Sequence, residues 1–387
     1  MKNKVLILVN HNVVIYNFRK EIVQRLVADG YEVYLSCPQG NRIAELKEMG
    51  CKFIETKFDR HGTNFAEELK LLKHYKRMMK EVRPDVVLSY TIKPNIYGGM
   101  AAAALNIPYI ANITGLGTAV ENGGLLQKIT KLMYKYAFRK VNCVFVQNEE
   151  NKAFFSDNKI AKDKLSLIPG SGVNLTQFAP MPYPDGDTVE FVFISRIMKE
   201  KGIEHYLEAA QYIRAKYPNT KFHICGFCEE AYEGRLKELE GKGIVIYHGM
   251  VDDVTAILKD CSATIHPTYY PEGISNVLLE SCACERPIIT TDRSGCREVV
   301  DDGINGYMIK QKDTNDLIYA IEKFMKLTVA ERELMGKNAR AKMEKMFDRQ
   351  IVVEAYMDRI DALVGKRKRL YPKEQSNTEQ ENTLQSV

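Results

Sequence analysis

The sequence predicts an α/β protein of two doubly wound domains, and three observations carry that prediction. Short apolar runs alternate with helical stretches from the first residues; a Pro- and Gly-dense segment interrupts them near residue 180; the alternation then restarts. At 387 residues the chain is long enough to bury two substantial cores.

In the first half, residues 5–9, 33–37, 53–56, 86–89, 108–111 and 143–147 read as strands. Residues 18–29, 42–49, 66–82 and 125–140 read as the helices between them. Strand-helix-strand order of this kind implies a parallel sheet with right-handed crossovers. Residues 168–174 are loop-like, and Ala179-Pro180-Met181-Pro182-Tyr183-Pro184-Asp185-Gly186-Asp187 reads as a linker. Beyond it, strands are expected at 191–195, 221–226, 245–248 and 263–266, with helices at 202–216, 232–240 and 254–259. The expected domains are therefore 1–182 and 188–346, with a ligand cleft between them. A last helix, 348–364, follows the second domain, and 365–387 turns basic and then polar, as a disordered tail would.

With 45% hydrophobic and 27% charged residues the chain reads as soluble and globular. No run approaches the roughly 20 apolar residues of a spanning helix, and the basic opening Met1-Lys2-Asn3-Lys4 precedes too short an apolar run for a signal peptide. Nine scattered cysteines suit a reducing compartment. A cytoplasmic location is expected.

The formal charge of +5 is mild but unevenly placed. Lys70, Lys73, Lys76, Arg77, Lys80 and Arg83 crowd one predicted helix. Lys128, Lys131, Lys135, Arg139 and Lys140 crowd another, interleaved with Leu125, Leu126, Ile129, Leu132, Met133 and Tyr136. A basic amphipathic helix can lie on an anionic membrane, or simply be the solvated face of a core helix. No nucleic-acid-binding motif accompanies either patch.

The chemistry concentrates in Pro271-Glu272-Gly273-Ile274-Ser275-Asn276-Val277-Leu278-Leu279-Glu280. It follows a predicted strand and runs into an apolar helix. The spacing places Glu272 and the N–H groups of 275–277 at a helix N-terminus, with Glu280 about two turns along nearly the same face. Helix N-termini attract anions, and carboxylates accept hydrogen bonds from sugar hydroxyls. Upstream, in Phe191-Val192-Phe193-Ile194-Ser195-Arg196-Ile197-Met198-Lys199-Glu200-Lys201-Gly202, a strand ends so that Arg196 and Lys201 leave its cleft edge. Two cations there suit a diphosphate.

These two segments resemble the Glu-x7-Glu and Gly-Arg-x4-Lys-Gly elements of the family-4 glycosyltransferases, with Ser195 in place of the usual Gly. The resemblance covers roughly residues 1–364 and implies the GT-B fold, two Rossmann-like domains facing a central cleft. It also implies a metal-independent, retaining transfer from a nucleotide-sugar, expected to be UDP-linked, as substrate and with no cofactor. Arg196 and Lys201 would grip the diphosphate, Glu272 the transferring sugar and Glu280 the ribose. Gly226, Asp253, Gly273, Ile274, Ser275, Asn276 and Val277 would complete the donor site.

In the first half, Ile15-Tyr16-Asn17-Phe18-Arg19, Lys93-Pro94-Asn95 and Asn112-Ile113-Thr114-Gly115-Leu116-Gly117 are similar to bacterial enzymes that build lipid-linked surface glycans, N-acetylgalactosaminyltransferases among them. The resemblance implies an acceptor side near Tyr16, Arg19, Lys93, Asn95, Thr114 and Gly115, and a polyprenyl-diphosphate-linked glycan acceptor met at the inner membrane surface. Many members carry a His near position 113; this chain has Ile113 and Thr114. The last helix is expected to cross back onto the first domain.

Three look-alikes are set aside. Cys225-Gly226-Phe227-Cys228 has its Gly at the nucleotide loop, Cys282-Ala283-Cys284 is too close for a zinc pair, and Asp185-Gly186-Asp187 sits in the linker. Neither a phosphate-binding Gly-x4-Gly-Lys nor a Gly-x-Gly-x2-Gly loop follows the first strand. A GT-B epimerase, which needs further acid-base carboxylates in the first domain, and a non-enzymatic nucleotide-sugar-binding protein remain as alternatives.

Overall fold

The computed structural model of the chain describes residues 2–57, 64–117 and 123–365. The expectation for the tail falls, from residue 366 on, outside the described residues. The first sheet contains β1 (Lys4–Leu8), β2 (Glu32–Cys37), β3 (Lys52–Glu55), β4 (Val86–Tyr90), β5 (Tyr109–Ile113), β6 (Cys143–Val146) and β7 (Leu165–Leu167). The second contains β8 (Val189–Ile194), β9 (Thr220–Cys225), β10 (Ile246–Tyr247), β11 (Ala263–His266), β12 (Ile288–Thr291) and β13 (Gly306–Ile309). Their orders are β3-β2-β1-β4-β5-β6-β7 and β10-β9-β8-β11-β12-β13. The pairings that join them are parallel, as at Val5 against Val33 and Phe191 against Phe222.

The strands are apolar on both sides because helices cover both faces. In β1, Val5 and Ile7 face the helices Lys20–Ala28 and Arg349–Val364; Leu6 and Leu8 face Phe65–Val82 and Gly124–Ala137. In β8, Phe191 and Phe193 pack towards Ile203–Lys216 and Thr314–Met325, while Val192 packs towards Asn276–Ala283. Each sheet reverses its direction of growth once, between β1 and β4 and between β8 and β11. Open α/β sheets bind ligands at the carboxyl ends of the strands flanking such a reversal.

The structure departs from the sequence reading in three places. The helix expected over 18–29 is two, Asn12–Phe18 and Lys20–Ala28. The break falls at Arg19, whose backbone (φ −144°) leaves the helical region while its buried guanidinium donates to the Phe18 carbonyl at 2.7 Å. The chain also reaches the second core well before residue 182: Val173 and Phe178 are buried there, and Arg286 donates to the Pro182 carbonyl at 2.8 Å. Glu272, finally, lies outside the helix Asn276–Ala283, so the two carboxylates do not share a helix face.

After the second domain, the helix Arg349–Val364 returns to the first, burying Val352, Val353, Tyr356, Met357 and Ile360 in its core. Arg349 anchors the crossing through an ion pair with Glu21 at 3.0 Å and a bond to the Gly172 carbonyl at 3.1 Å.

Candidate active site

Arg196 leaves the carboxyl end of β8, and a short helical turn, Lys199–Lys201, brings Lys201 under the cleft. Opposite, β11 ends at His266 and a nine-residue loop, 267–275, leads through Glu272 to the helix Asn276–Ala283. These are the two strand ends flanking the sheet reversal. Lys201, a residue only 7% exposed, pairs its ammonium with the Glu272 carboxylate. Both cations also face Tyr270, with Lys201 4.7 Å and Arg196 5.2 Å from its ring centroid. Arg196 pairs with Glu229 at 3.5 Å.

Beneath the pair lies a residue the sequence reading missed, His266. It is buried, and among the described residues neither ring nitrogen has a hydrogen-bond partner. Burial, reinforced by the Lys201 charge, pushes its imidazole down to about 3, so it is neutral in ordinary buffers. Burial alone would raise the Glu272 carboxyl; the Lys201 charge foremost, with Arg196, holds it below the usual carboxylate range. Glu280, partly buried in the helix, goes the other way: burial raises it to about 7 against the pull of Arg349.

The helix N-terminus is open to a ligand at fewer positions than expected. Ser275 donates its N–H to the Gly295 carbonyl at 2.8 Å, and the Ile274 N–H goes to Gln147 Oε1 at 3.2 Å. Ser275 is the N-cap but its side chain makes no capping bond, so the first-turn N–H groups of Asn276 and Val277 receive no cap from it. Gly226 is required by close approach: at φ +142° a Cβ would collide with the Ser195 carbonyl, and its N–H donates to the Gly249 carbonyl at 2.7 Å. That turn abuts the Arg196 strand end. Asp253 does not join the site. It is exposed, and its carboxylate accepts from the Thr255 N–H at 3.0 Å and hydroxyl at 2.6 Å, holding its own turn.

On the first domain, Thr114 and Gly115 do meet the donor loop. A Cβ on Gly273 would lie 2.6 Å from the Thr114 carbonyl oxygen, and one on Gly115 would lie 3.1 Å from that of Pro271. Tyr16 sits at the cleft rim beneath Arg42, which stands 4.8 Å above its ring and reaches Asp252 of the second domain at 3.9 Å. The other three positions serve the scaffold. Arg19 is buried beside Tyr90, and Lys93 pairs with Glu68 at 2.7 Å. Asn95 is buried, accepting from the Ser89 hydroxyl at 2.6 Å and donating to the Asn112 carbonyl at 2.8 Å. Both ends of its amide are engaged inside the domain.

Among the described residues no three His, Cys, Asp or Glu side chains gather to hold a metal ion. The nine cysteines are free, and those at 225, 282 and 284 are buried.

Two cations and a carboxylate beside a helix N-terminus, at the reversal point of a Rossmann-like sheet and facing a second such domain, define a GT-B cleft. The chain is a glycosyltransferase: residues 182–342 match the family described as Glycosyl transferases group 1, and residues 4–148 match Glycosyl transferase 4-like. It is 27% identical to the N,N'-diacetylbacillosaminyl-diphospho-undecaprenol alpha-1,3-N-acetylgalactosaminyltransferase of Campylobacter jejuni, over 90% of this chain and 96% of that one. It is 24% identical to the UDP-Gal:alpha-D-GlcNAc-diphosphoundecaprenol alpha-1,3-galactosyltransferase of Escherichia coli, over 87% and 90%. A glycosyltransferase from Rickettsia africae shares the fold at a TM-score of 0.78, with 16% identity over 95% of this chain and all of that one. Anabaena HepE, solved with UDP and glucose, does so at 0.76, with 15% identity over 93% of this chain and 100% of that one.

Proposed function

We propose that the chain transfers a hexose or N-acetylhexosamine from a UDP-sugar, with retention and without a metal ion, to a polyprenyl-diphosphate-linked glycan in surface-glycan synthesis. The observation that carries this is the meeting of Arg196 and Lys201 over Tyr270, with Lys201 paired to Glu272, at one strand-end crevice beside the N-terminus of the helix Asn276–Ala283. When the sugar–phosphate bond breaks, the departing UDP gains negative charge. Fixed cations and N–H dipoles accelerate the step by binding that charge better than they bind the intact donor. Glu272 holds hydroxyls of the transferring sugar and Glu280 those of the ribose. The two bacterial relatives above, matched over most of their length, support the lipid-linked acceptor, and the Escherichia coli relative's name supports UDP.

The acceptor side belongs to the first domain, where the helix Gly124–Ala137 supports a membrane contact. Thr130, Tyr134 and Ala137 face the core, yet the opposite side exposes Leu125 (74%), Leu132 (67%) and Tyr136 (57%). Lys128 and Lys135 of the helix, and Arg139 in the turn after it, are exposed, and Lys131 is half-buried. An amphipathic helix with apolar and basic exposed surface suits the interface of an anionic bilayer, here the inner face of the cell membrane. No helix among the described residues is long and apolar enough to cross one.

The test is a panel of nucleotide-sugars offered with lipid-linked acceptors, with the product's anomeric configuration read by NMR. The expected result is one UDP-sugar consumed with its α-configuration kept. An inverted product would refute retention, and a requirement for a non-uridine donor would refute the UDP assignment.

A further inference from the structure

The loop carrying Glu272 belongs to the second domain, but three hydrogen bonds to its Glu272–Ile274 backbone come from the first. Asn148 Nδ2 donates to the Gly273 carbonyl at 2.6 Å and reaches that of Glu272 at 3.3 Å. Gln147 Oε1 accepts the Ile274 N–H at 3.2 Å. Both side chains are nearly inaccessible to water. Buried backbone polar groups need partners, and an irregular loop has no ladder to supply them.

Each amide is aimed by bonds within the first domain. Asn148 caps the helix Glu149–Asp157, its Oδ1 accepting the Asn151 N–H at 2.8 Å, so only its donor end remains to cross the cleft. Gln147 sits at the end of a polar chain. Tyr356 of the returning helix accepts from Asn112 Nδ2 at 2.6 Å, and Asn112 Oδ1 accepts from Gln147 Nε2 at 3.2 Å. That order of donors and acceptors leaves Gln147 its oxygen for the Ile274 N–H. Asn95 braces the same chain from below through the Asn112 carbonyl. The close fit is an independent observation: a Cβ on Gly273 would collide with Gln147 Oε1.

We propose that Gln147 and Asn148 are positioning residues: they fix the backbone of Glu272–Ile274 from the acceptor domain, so that Glu272 reaches its working geometry only while the two domains are closed on each other. Separating the domains would break all three bonds at once. Sugar transfer is thereby tied to closure, whereas the nucleotide's own contacts, Arg196, Lys201 and Glu280, lie within the second domain. The proposal rests on the glycosyl-transfer reading above.

The experiment compares the full-length parent with Gln147→Ala and Asn148→Asp. The Asp variant keeps the helix cap and removes the crossing donor. UDP affinity is measured by calorimetry, and kcat and donor KM by UDP release. The expected result is UDP affinity within about threefold of the parent and kcat lowered by at least roughly thirtyfold, a misplaced reacting group being worth up to about a hundredfold. Gln147→Glu, which keeps the oxygen that accepts the Ile274 N–H but not the donation to Asn112 Oδ1, should recover part of the loss in Gln147→Ala. Variants that fold and turn over within threefold of the parent would overturn the proposal, as would a parallel loss of UDP affinity. Should Asn148→Asp fail to fold, the Gln147 pair decides alone. A parent that releases UDP from no nucleotide-sugar would instead refute the transfer reading.

Discussion

Lys201 and Glu272 are bonded to each other, one from the turn after β8 and one from the loop after β11. In the proposed reaction each needs a different partner: Lys201 the diphosphate, Glu272 the sugar hydroxyls. Donor binding therefore exchanges this ion pair for two new contacts instead of adding to it. Because both side chains are mostly buried, removing one leaves the other charge stranded. Glu272→Ala should lower stability by on the order of 3 kcal/mol, while the double variant Lys201→Met, Glu272→Leu should stay near the parent, with transfer lost in both. Urea unfolding checks the first part; equal midpoints for parent and Glu272→Ala would show that the pair contributes nothing.

Glu280 gives a pH dependence with a definite sign. Its carboxyl is raised to about 7 in the folded chain, so the folded state holds the proton more tightly than the unfolded one. Stability without ligand should therefore fall as pH rises from the ordinary carboxylate range towards 7. UDP binding should respond oppositely, because a ribose hydroxyl bonds the ionised form more strongly, by up to about tenfold in affinity between pH 6 and pH 8. The phosphates of UDP titrate nearby, so the comparison is with Glu280→Gln by calorimetry at both pH values. Identical pH dependence in the two proteins would remove Glu280 from the ribose.

Arg196 and Lys201 should make a divalent ion dispensable. Transfer should persist in EDTA, and Arg196→Lys should lose activity because an ammonium cannot bind a phosphate bidentately. Activity that vanishes in EDTA and returns with magnesium or manganese would contradict this.

The outward face of the helix Gly124–Ala137 predicts liposome binding with both electrostatic and apolar parts. Reversing Lys128, Lys131, Lys135 and Arg139 to Glu should abolish sedimentation with anionic vesicles, since each charge contributes roughly 1 kcal/mol near such a surface. Leu125→Ser with Leu132→Ser should weaken binding even at high salt, where the charges are screened. Donor hydrolysis in solution should survive both changes. Sedimentation unaltered in both variants would return the helix to an ordinary surface.

The two-domain plan was legible because strand and helix periods and a Pro-rich break are local signals, and they mark β8, β11 and the helix beyond Glu272 without reference to the rest of the chain. Arg196, Lys201 and Glu272 were legible from motif and position. What the sequence could not show is pairing. Nothing local indicates that Lys201 bonds Glu272, that Asn95 spends its amide on Asn112, or that Gln147 and Asn148 reach across 124 or more residues to the Glu272 loop. His266 was missed for a similar reason: a strand-end histidine reads as core until the ion pair above it is seen. The Arg19 break escaped because helical periodicity continues on either side of it.

The most direct test of the account is extension of an undecaprenyl-diphosphate-linked acceptor by the purified full-length protein, in liposomes, with a UDP-sugar and EDTA present. The account predicts equimolar free UDP and an acceptor heavier by one hexose or N-acetylhexosamine, with neither product formed by the variant lacking both Arg196 and Lys201. A donor converted to its epimer with the acceptor unchanged, or a donor bound and left intact, would contradict it.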